Sequence, residues 1–209
     1  IRTLVAAFAA AGLSTAALGQ AKDVTIGVIF DYSGPFAAGG SQAAGIGTKI
    51  AIDMINERGG VEGRKIKATY ADAQSKTEVA INEMTRLLDQ DKVDLIMGVY
   101  SSAHCVPMAQ KADSSKKFMW ANVCVASAVF KDKKLQYVFR PQVHSDQFGE
   151  ASCTFLNEHA KAKLKKDPKD LKVAIIYEDG PYGTGVAAGN EEQCKKYGMQ
   201  VVMKEGYSA

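Results

Sequence analysis

The residues best placed to do chemistry fall in one stretch, Val93 to Met108, reading VDLIMGVYSSAHCVPM. A short apolar run stops at Gly98, the polar cluster Tyr100-Ser101-Ser102-Ala103-His104 follows, and the pattern then turns helical. A strand–loop–helix passage sets two hydroxyls beside the unpartnered N–H groups of a helix start, where partial positive charge also gathers. Such a corner suits a small anion such as a carboxylate. Capping the helix is the plainer use of Ser101 or Ser102. His104, on the same loop, is a candidate ligand contact.

The other reactive residue types do not assemble a catalytic set. His144 and His159 complete the histidines, and none of the three stands four residues from another. Neither a G-x-S-x-G nucleophile elbow nor an HExxH pair is present. Asp31 and Asp72 close two apolar runs and could pair as carboxylates, although an Asp at a strand end usually serves a turn. Gly183, Gly185 and Gly189 follow an apolar run, but their spacing is GxGxxxG, not the GxGxxG of a dinucleotide loop. A tight turn and close helix packing are expected there instead. Tyr182, in EDGPYGTG, would give a pocket an aromatic wall with one hydroxyl, or serve only as a turn residue.

The four cysteines, Cys105, Cys124, Cys153 and Cys194, match no CxxC metal pattern. Cys105 opens one helix and Cys124 ends the next strand, so neighbouring parallel strands could bring them together. Cys153 and Cys194 lie on two later helices. The pairs Cys105–Cys124 and Cys153–Cys194 are favoured, although four cysteines allow three connectivities and could all remain free thiols.

The elements that must position these residues alternate. Val24–Phe30 (VTIGVIF) reads as a buried strand, broken by Asp31-Tyr32-Ser33-Gly34-Pro35. A helix follows over roughly 41–58, with Ile46, Ile50, Met54 and Ile55 on one face and Gly59-Gly60 as its stop. Strands are expected at 65–70, 93–97 and 118–123. Ser75-Lys76-Thr77-Glu78 reads as a capping box for the helix running to about Asp89. This is a doubly wound α/β pattern, whose ligand crevice lies beyond the carboxyl ends of the parallel strands. After an extended piece at 137–141 and a helix over about 146–162, the alternation restarts with a strand at 172–177, a helix to about 197 and a strand at 200–204. Two strands cannot bury both faces of a sheet, so the sequence is expected to be a fragment of a longer chain.

Composition sets the class. The 209 residues are 46% hydrophobic and 23% charged, with a net charge of +3. That charge is too small and dispersed to argue for nucleic acid or an anionic membrane. Residues 1–21 carry Arg2, an apolar run and a small-x-small ending at Gly19-Gln20-Ala21, and are expected to be a cleaved signal peptide. No Cys sits at the cleavage point, which argues against a lipoprotein, and the mature chain should meet an oxidising compartment.

In order, IGVIFDYSGPFAAGG, INERGGVEGRKIK, YADAQSK, LIMGVYSS, VFRPQVHSDQFGEA and VAIIYEDGPYGTG resemble the periplasmic solute-binding proteins of the branched-chain amino-acid (leucine/isoleucine/valine-binding) ABC transporters. The resemblance covers nearly all of 22–209. It implies two doubly wound parallel-sheet lobes: an N-terminal ligand-binding lobe over 22–140 and the start of a second, incomplete one over 141–209. It implies that Ser102, beside Ser101 and Tyr100, holds a ligand carboxylate, that Ser127 and Val125 belong to a second binding loop, and that Tyr182 faces them from the other lobe. Gly39 falls where the family often has an aromatic residue, which implies a wider pocket on that side. The acid that fixes the ligand's ammonium would lie beyond this sequence. The expected protein is a periplasmic monomer without catalysis or cofactor, taking an amino acid or a related carboxylate or amide and docking on a membrane permease. A sensor domain of the same fold is the alternative.

Overall fold

The computed structural model describes residues 22–208. Residues 1–21, and with them the expected signal peptide, lie outside the described residues. Two parallel sheets organise the chain. The first has five strands in the order β2-β1-β3-β4-β5: β1 (Val24–Phe30), β2 (Ile66–Asp72), β3 (Leu95–Gly98), β4 (Phe118–Ala121) and β5 (Val138–Phe139). The second pairs β6 (Lys172–Glu178) with β7 (Gln200–Tyr207).

Strand β1 shows why this sequence is a central strand. It pairs with β2 on one side and β3 on the other. Its alternate side chains feed two cores, as a period of two requires. Ile29 joins Ile96, Met119 and Ala121 beneath α2 (Thr77–Asp89) and α3 (Ser102–Ser114). Ile26, Val28 and Phe30 join Ile52 of α1 (Gln42–Glu57) on the opposite face. The winding direction reverses between β1 and β3, so the loops after these two strands flank the crevice that such a switch point opens.

Two local expectations are corrected. The side of α1 that meets the sheet is Gly45, Thr48 and Ile52, whereas Ile46, Ile50, Met54 and Ile55 are 38–58% exposed. Small residues at the contact let the helix lie close, and the bulkier stripe faces outward among the described residues. The capping box at Ser75 does not form: Lys76 is the cap residue of α2 and makes no side-chain cap bond. Ser75 has a φ of 55°, and its hydroxyl accepts from the Phe36 N–H and donates to the Ser33 carbonyl, tying two rim loops together. A reciprocal box forms instead at the start of α4 (Ser145–Leu164), where the His144 N–H donates to Gln147 Oε1 at 3.1 Å and the His144 ring accepts from the Gln147 N–H.

The glycine spacing after β6 serves helix packing. On α5 (Pro181–Lys196), a Cβ at Gly189 would collide with the Asp146 carbonyl, and one at Gly185 with Ser145 Oγ. Gly149 of α4 is equally close to the Val186 carbonyl. The two helices therefore cross backbone to backbone. Cys153–Cys194 joins the same pair, with Cα atoms 5.2 Å apart. A second disulfide, Cys105–Cys124, joins the first turn of α3 to the loop after β4, with Cα atoms 6.3 Å apart.

Candidate functional site

A cavity of about 460 Å³ opens between the two sheets, within the range common for small-molecule sites. Phe36, Tyr100, Ser101, Ser102 and Ala103 line it from the loops after β1 and β3 and the start of α3. Val123 and Val125 line it from the loop after β4. Phe148 of α4, with Glu178 at the end of β6 and Pro181 and Tyr182 at the start of α5, closes the far wall.

Ser101 caps α3 by accepting from the Ala103 N–H at 3.2 Å. Ser102 is the first residue of the helix and is 7% exposed. Its Oγ accepts from the Ala126 N–H at 3.2 Å. A serine hydroxyl has one proton and two lone pairs. With a lone pair held by Ala126, its O–H proton remains to donate. The helix start beside it favours an anion. This wall is stapled: Cys105 lies three residues beyond Ser102 and Cys124 between Val123 and Val125, so their disulfide ties the two loops that carry these lining residues.

Tyr100 lines the cavity, and its hydroxyl donates to the Gly39 carbonyl at 2.6 Å. Gly40, at φ 132°, lies 3.1 Å from the Tyr100 ring when a Cβ is built on it. The glycines at 39 and 40 make room for the Tyr100 ring, which walls the side where Gly39 was expected to widen the pocket.

Ser127 is not among the residues that line this cavity; its hydroxyl donates to Asp146 Oδ1 and lies 2.9 Å from Ser145 Oγ and 3.3 Å from His144 Nδ1. Its N–H donates to Ser145 Oγ at 3.0 Å. These bonds fasten the first sheet's last loop to the start of α4, beside the Ser145 N–H bond to the Val125 carbonyl. The cluster holds Ser, His and Asp side chains, but a nucleophilic relay puts the histidine between the other two. Here the carboxylate contacts the serine directly, and its other oxygen lies 4.0 Å from the same His144 nitrogen. Nearby, Arg140 donates to the Ala126 carbonyl at 2.8 Å and lies over the Phe130 ring, where burial holds its guanidinium below its usual range.

His104 also leaves the ligand surface. It is buried, with Nδ1 2.9 Å from Thr77 Oγ1 and Nε2 3.3 Å from Asp31 Oδ1. Asp31 additionally accepts from Ser41 Oγ and the Ser75 N–H. Its position beside His104 was not evident from the chain, because the two stand 73 residues apart. Asp72 is turn chemistry. Burial works to raise its carboxyl, but hydrogen bonds from Ser33 Oγ and the N–H groups of Gln74, Tyr32 and Ser33 outweigh this and hold it below the usual range.

Phe36, Phe148 and Glu178 were missed by sequence reasoning. Phe36 directly follows the Asp31–Pro35 break after β1 and Glu178 opens the EDGPYGTG stretch noted for Tyr182, whereas Phe148 carried no signal beyond its place near the start of a helix. Among the described residues, no group of three or more His, Cys, Asp and Glu side chains gathers as a metal site. No helix among them is long and apolar enough to cross a membrane.

Two α/β units thus face each other across a lined cleft. The sequence belongs to the periplasmic binding protein family, whose model matches residues 23–209. The Leu/Ile/Val-binding protein homolog 7 of Brucella suis is 35% identical over 201 residues, covering 96% of this chain and 50% of that protein. The chain thus spans about half the length of the curated relatives it matches. Among solved structures, the branched-chain amino acid transporter substrate binding protein LivJ of Streptococcus pneumoniae, in complex with isoleucine, has a TM-score of 0.74 at 24% identity, over 90% of this chain and 50% of that one. A solute binding protein of an ABC transporter from Rhodopseudomonas palustris, in complex with 3,4-dihydroxybenzoic acid, has a TM-score of 0.72 at 21% identity, over 89% and 47%. At these identities the likeness is one of fold.

Proposed function

We propose that the intact protein is an extracytoplasmic, non-catalytic solute-binding protein that delivers an amino acid to the membrane permease of an ABC transporter. Branched-chain amino acids are the first candidates, with related small carboxylates and amides next. The observation that carries this reading is the cavity of about 460 Å³ between the two sheets, with the Ser102 hydroxyl at a helix start as its anion-holding corner. Residues 22–140 act as one lobe and 141–209 as the beginning of the other, and residues 1–21 as a cleaved leader. The ligand carboxylate meets Ser102 and Ser101, while Tyr100, Val125 and Tyr182 wall its side chain. Ser127 fastens the lobes together instead of touching ligand. Closure about the crossover at 140–144 traps the ligand, and a monomer in the closed form docks on the permease. The kinship with Leu/Ile/Val-binding homologues supports the ligand class.

A thermal-shift screen of the full-length protein tests this. Ligand that binds only the folded state stabilises it by about 2.7 kcal/mol at a hundredfold excess over Kd. A rise in Tm with leucine, isoleucine or valine is expected. Rises with aromatic acids alone would reassign the side-chain pocket, and no rise with any amino acid, amide or carboxylate would refute the proposal.

A further inference from the structure

The first turn of α3 faces two ways. Ser102 lines the cavity, while His104, two residues on, is 1% exposed and lies against Asp31, which is 0% exposed. Asp31 Oδ1 accepts from the Ser75 N–H at 2.9 Å, and Oδ2 accepts from the Ser41 hydroxyl at 3.0 Å. The same Oδ1 lies 3.3 Å from His104 Nε2. An ionised carboxylate only accepts, so Nε2 carries a proton. The other ring nitrogen, Nδ1, lies 2.9 Å from Thr77 Oγ1, on the first residue of α2. A hydroxyl both gives and takes a hydrogen bond. The neutral ring accepts from Thr77 at Nδ1, and the imidazolium donates to it there. The ring therefore gains a proton without losing a contact.

Among the described residues, Asp31 is the one ionisable side chain hydrogen-bonded to this ring. On α2, Lys76 and Glu78 flank Thr77 but are exposed, and α3 carries no Asp, Glu, Lys or Arg before Lys111. The start of α1 meets Asp31 through Ser41. Phe36 packs edge-on against the His104 ring, with centroids 5.8 Å apart, and itself lines the cavity. Charges in such a dry setting act on one another more strongly than in water. An ionised Asp31 behind the start of α3 opposes a second carboxylate at Ser102, on the same helix turn, and an imidazolium at 104 cancels that charge. Building on the binding function proposed above, we infer that the His104–Asp31 pair takes up a proton when a carboxylate ligand binds at Ser102, so that ligand affinity rises as pH falls. His104 is thus a positioning residue that acts through its charge. The bound form favours the protonated ring, so the gain is fully present in acid and is lost as pH rises through the titration of the bound form.

Calorimetric titration of the full-length protein with leucine and with phenylalanine, at pH 5.5 and pH 7.5, tests this. Both amino acids keep their own charges across that window, in which a histidine can change its charge. The wild type should bind one of them roughly 5- to 10-fold more tightly at the lower pH, the low end of site-to-site coupling. Titrations near pH 6.5 in two buffers of different protonation enthalpy should show net proton uptake. His104→Gln, which stays polar, and Asp31→Asn, which keeps an acceptor for Ser41 but loses the charge, should each bind with an affinity that no longer varies with pH. Melts establish that each variant is folded, and either one alone decides the point. Equal wild-type affinity at both pH values, without proton uptake, would overturn the inference and leave the binding function intact. So would a pH dependence that survives unchanged in a folded variant, because a merely structural histidine leaves that slope alone. Binding of neither amino acid would count against the amino-acid reading itself, and this inference falls with it.

Discussion

Replacing Ser102 by alanine removes one oxygen with two separable duties. The first is internal: Ser102 Oγ accepts from the Ala126 N–H at 3.2 Å, and Ala126 is fully buried. Without that acceptor a buried donor is orphaned, which costs about 1–3 kcal/mol of folding stability. The second concerns the ligand. The Ser102 O–H is free to donate into the cavity, and a hydrogen bond to a carboxylate contributes about 1.5–3 kcal/mol. At about 1.4 kcal/mol per decade, its loss raises Kd by roughly 10- to 150-fold. Calorimetric titration of full-length wild type and Ser102→Ala, with melts of both in the absence of ligand, reads the two effects separately. Ser101→Ala is the comparison, since Ser101 caps the same helix and its loss costs about 0.5–2 kcal/mol of stability. If Ser102→Ala melts lower yet binds with wild-type affinity, Ser102 is a structural serine and the carboxylate sits elsewhere.

The remaining expectations are these. Removing the Cys105–Cys124 disulfide by a double Ala substitution should cost about 3 kcal/mol on the chain-entropy account and weaken ligand binding, because it frees two loops of the cavity wall; removing Cys153–Cys194 should cost about 4 kcal/mol and leave affinity little changed. Melts and titrations of both double variants check this, and equal effects on affinity would contradict it. Gly189→Ala should destabilise by about 1–3 kcal/mol or more, since the new methyl meets the Asp146 backbone and not a movable side chain; an unchanged denaturant midpoint would show that the two helices have room to separate. Because the Asp72 carboxyl is held below its usual range, its contribution to stability is fully present above the unfolded value, about pH 4, and is lost as pH falls through the lower folded value. Melts across that range should fall less steeply for Asp72→Asn than for wild type, and parallel profiles would contradict the assignment.

What the chain disclosed of itself follows a physical divide. β1 was legible because VTIGVIF is β-branched, short and buried on both faces, and the helix after β3 because two serines precede its periodic run. The loops that ring the cleft followed from the rule that ligands gather at the carboxyl ends of parallel strands. Ser127 and His104 were not legible. Each sits on a rim loop with the right chemistry, but its direction is set by residues 19 and 73 positions away, Asp146 and Asp31. Helical periodicity likewise marked an apolar stripe on α1 without saying that the smaller residues beside it face the sheet. Residues such as Phe148 and Glu178 join the site only when two separately folded sheets face each other, which no local pattern encodes.

The most direct measurement is a crystal structure of the full-length protein with a bound amino acid. The account predicts the ligand in the cleft between the two sheets, its carboxylate within hydrogen-bond distance of Ser102 Oγ at the start of α3. A ligand carboxylate held elsewhere, with Ser102 bonded only to the Ala126 amide, would contradict it.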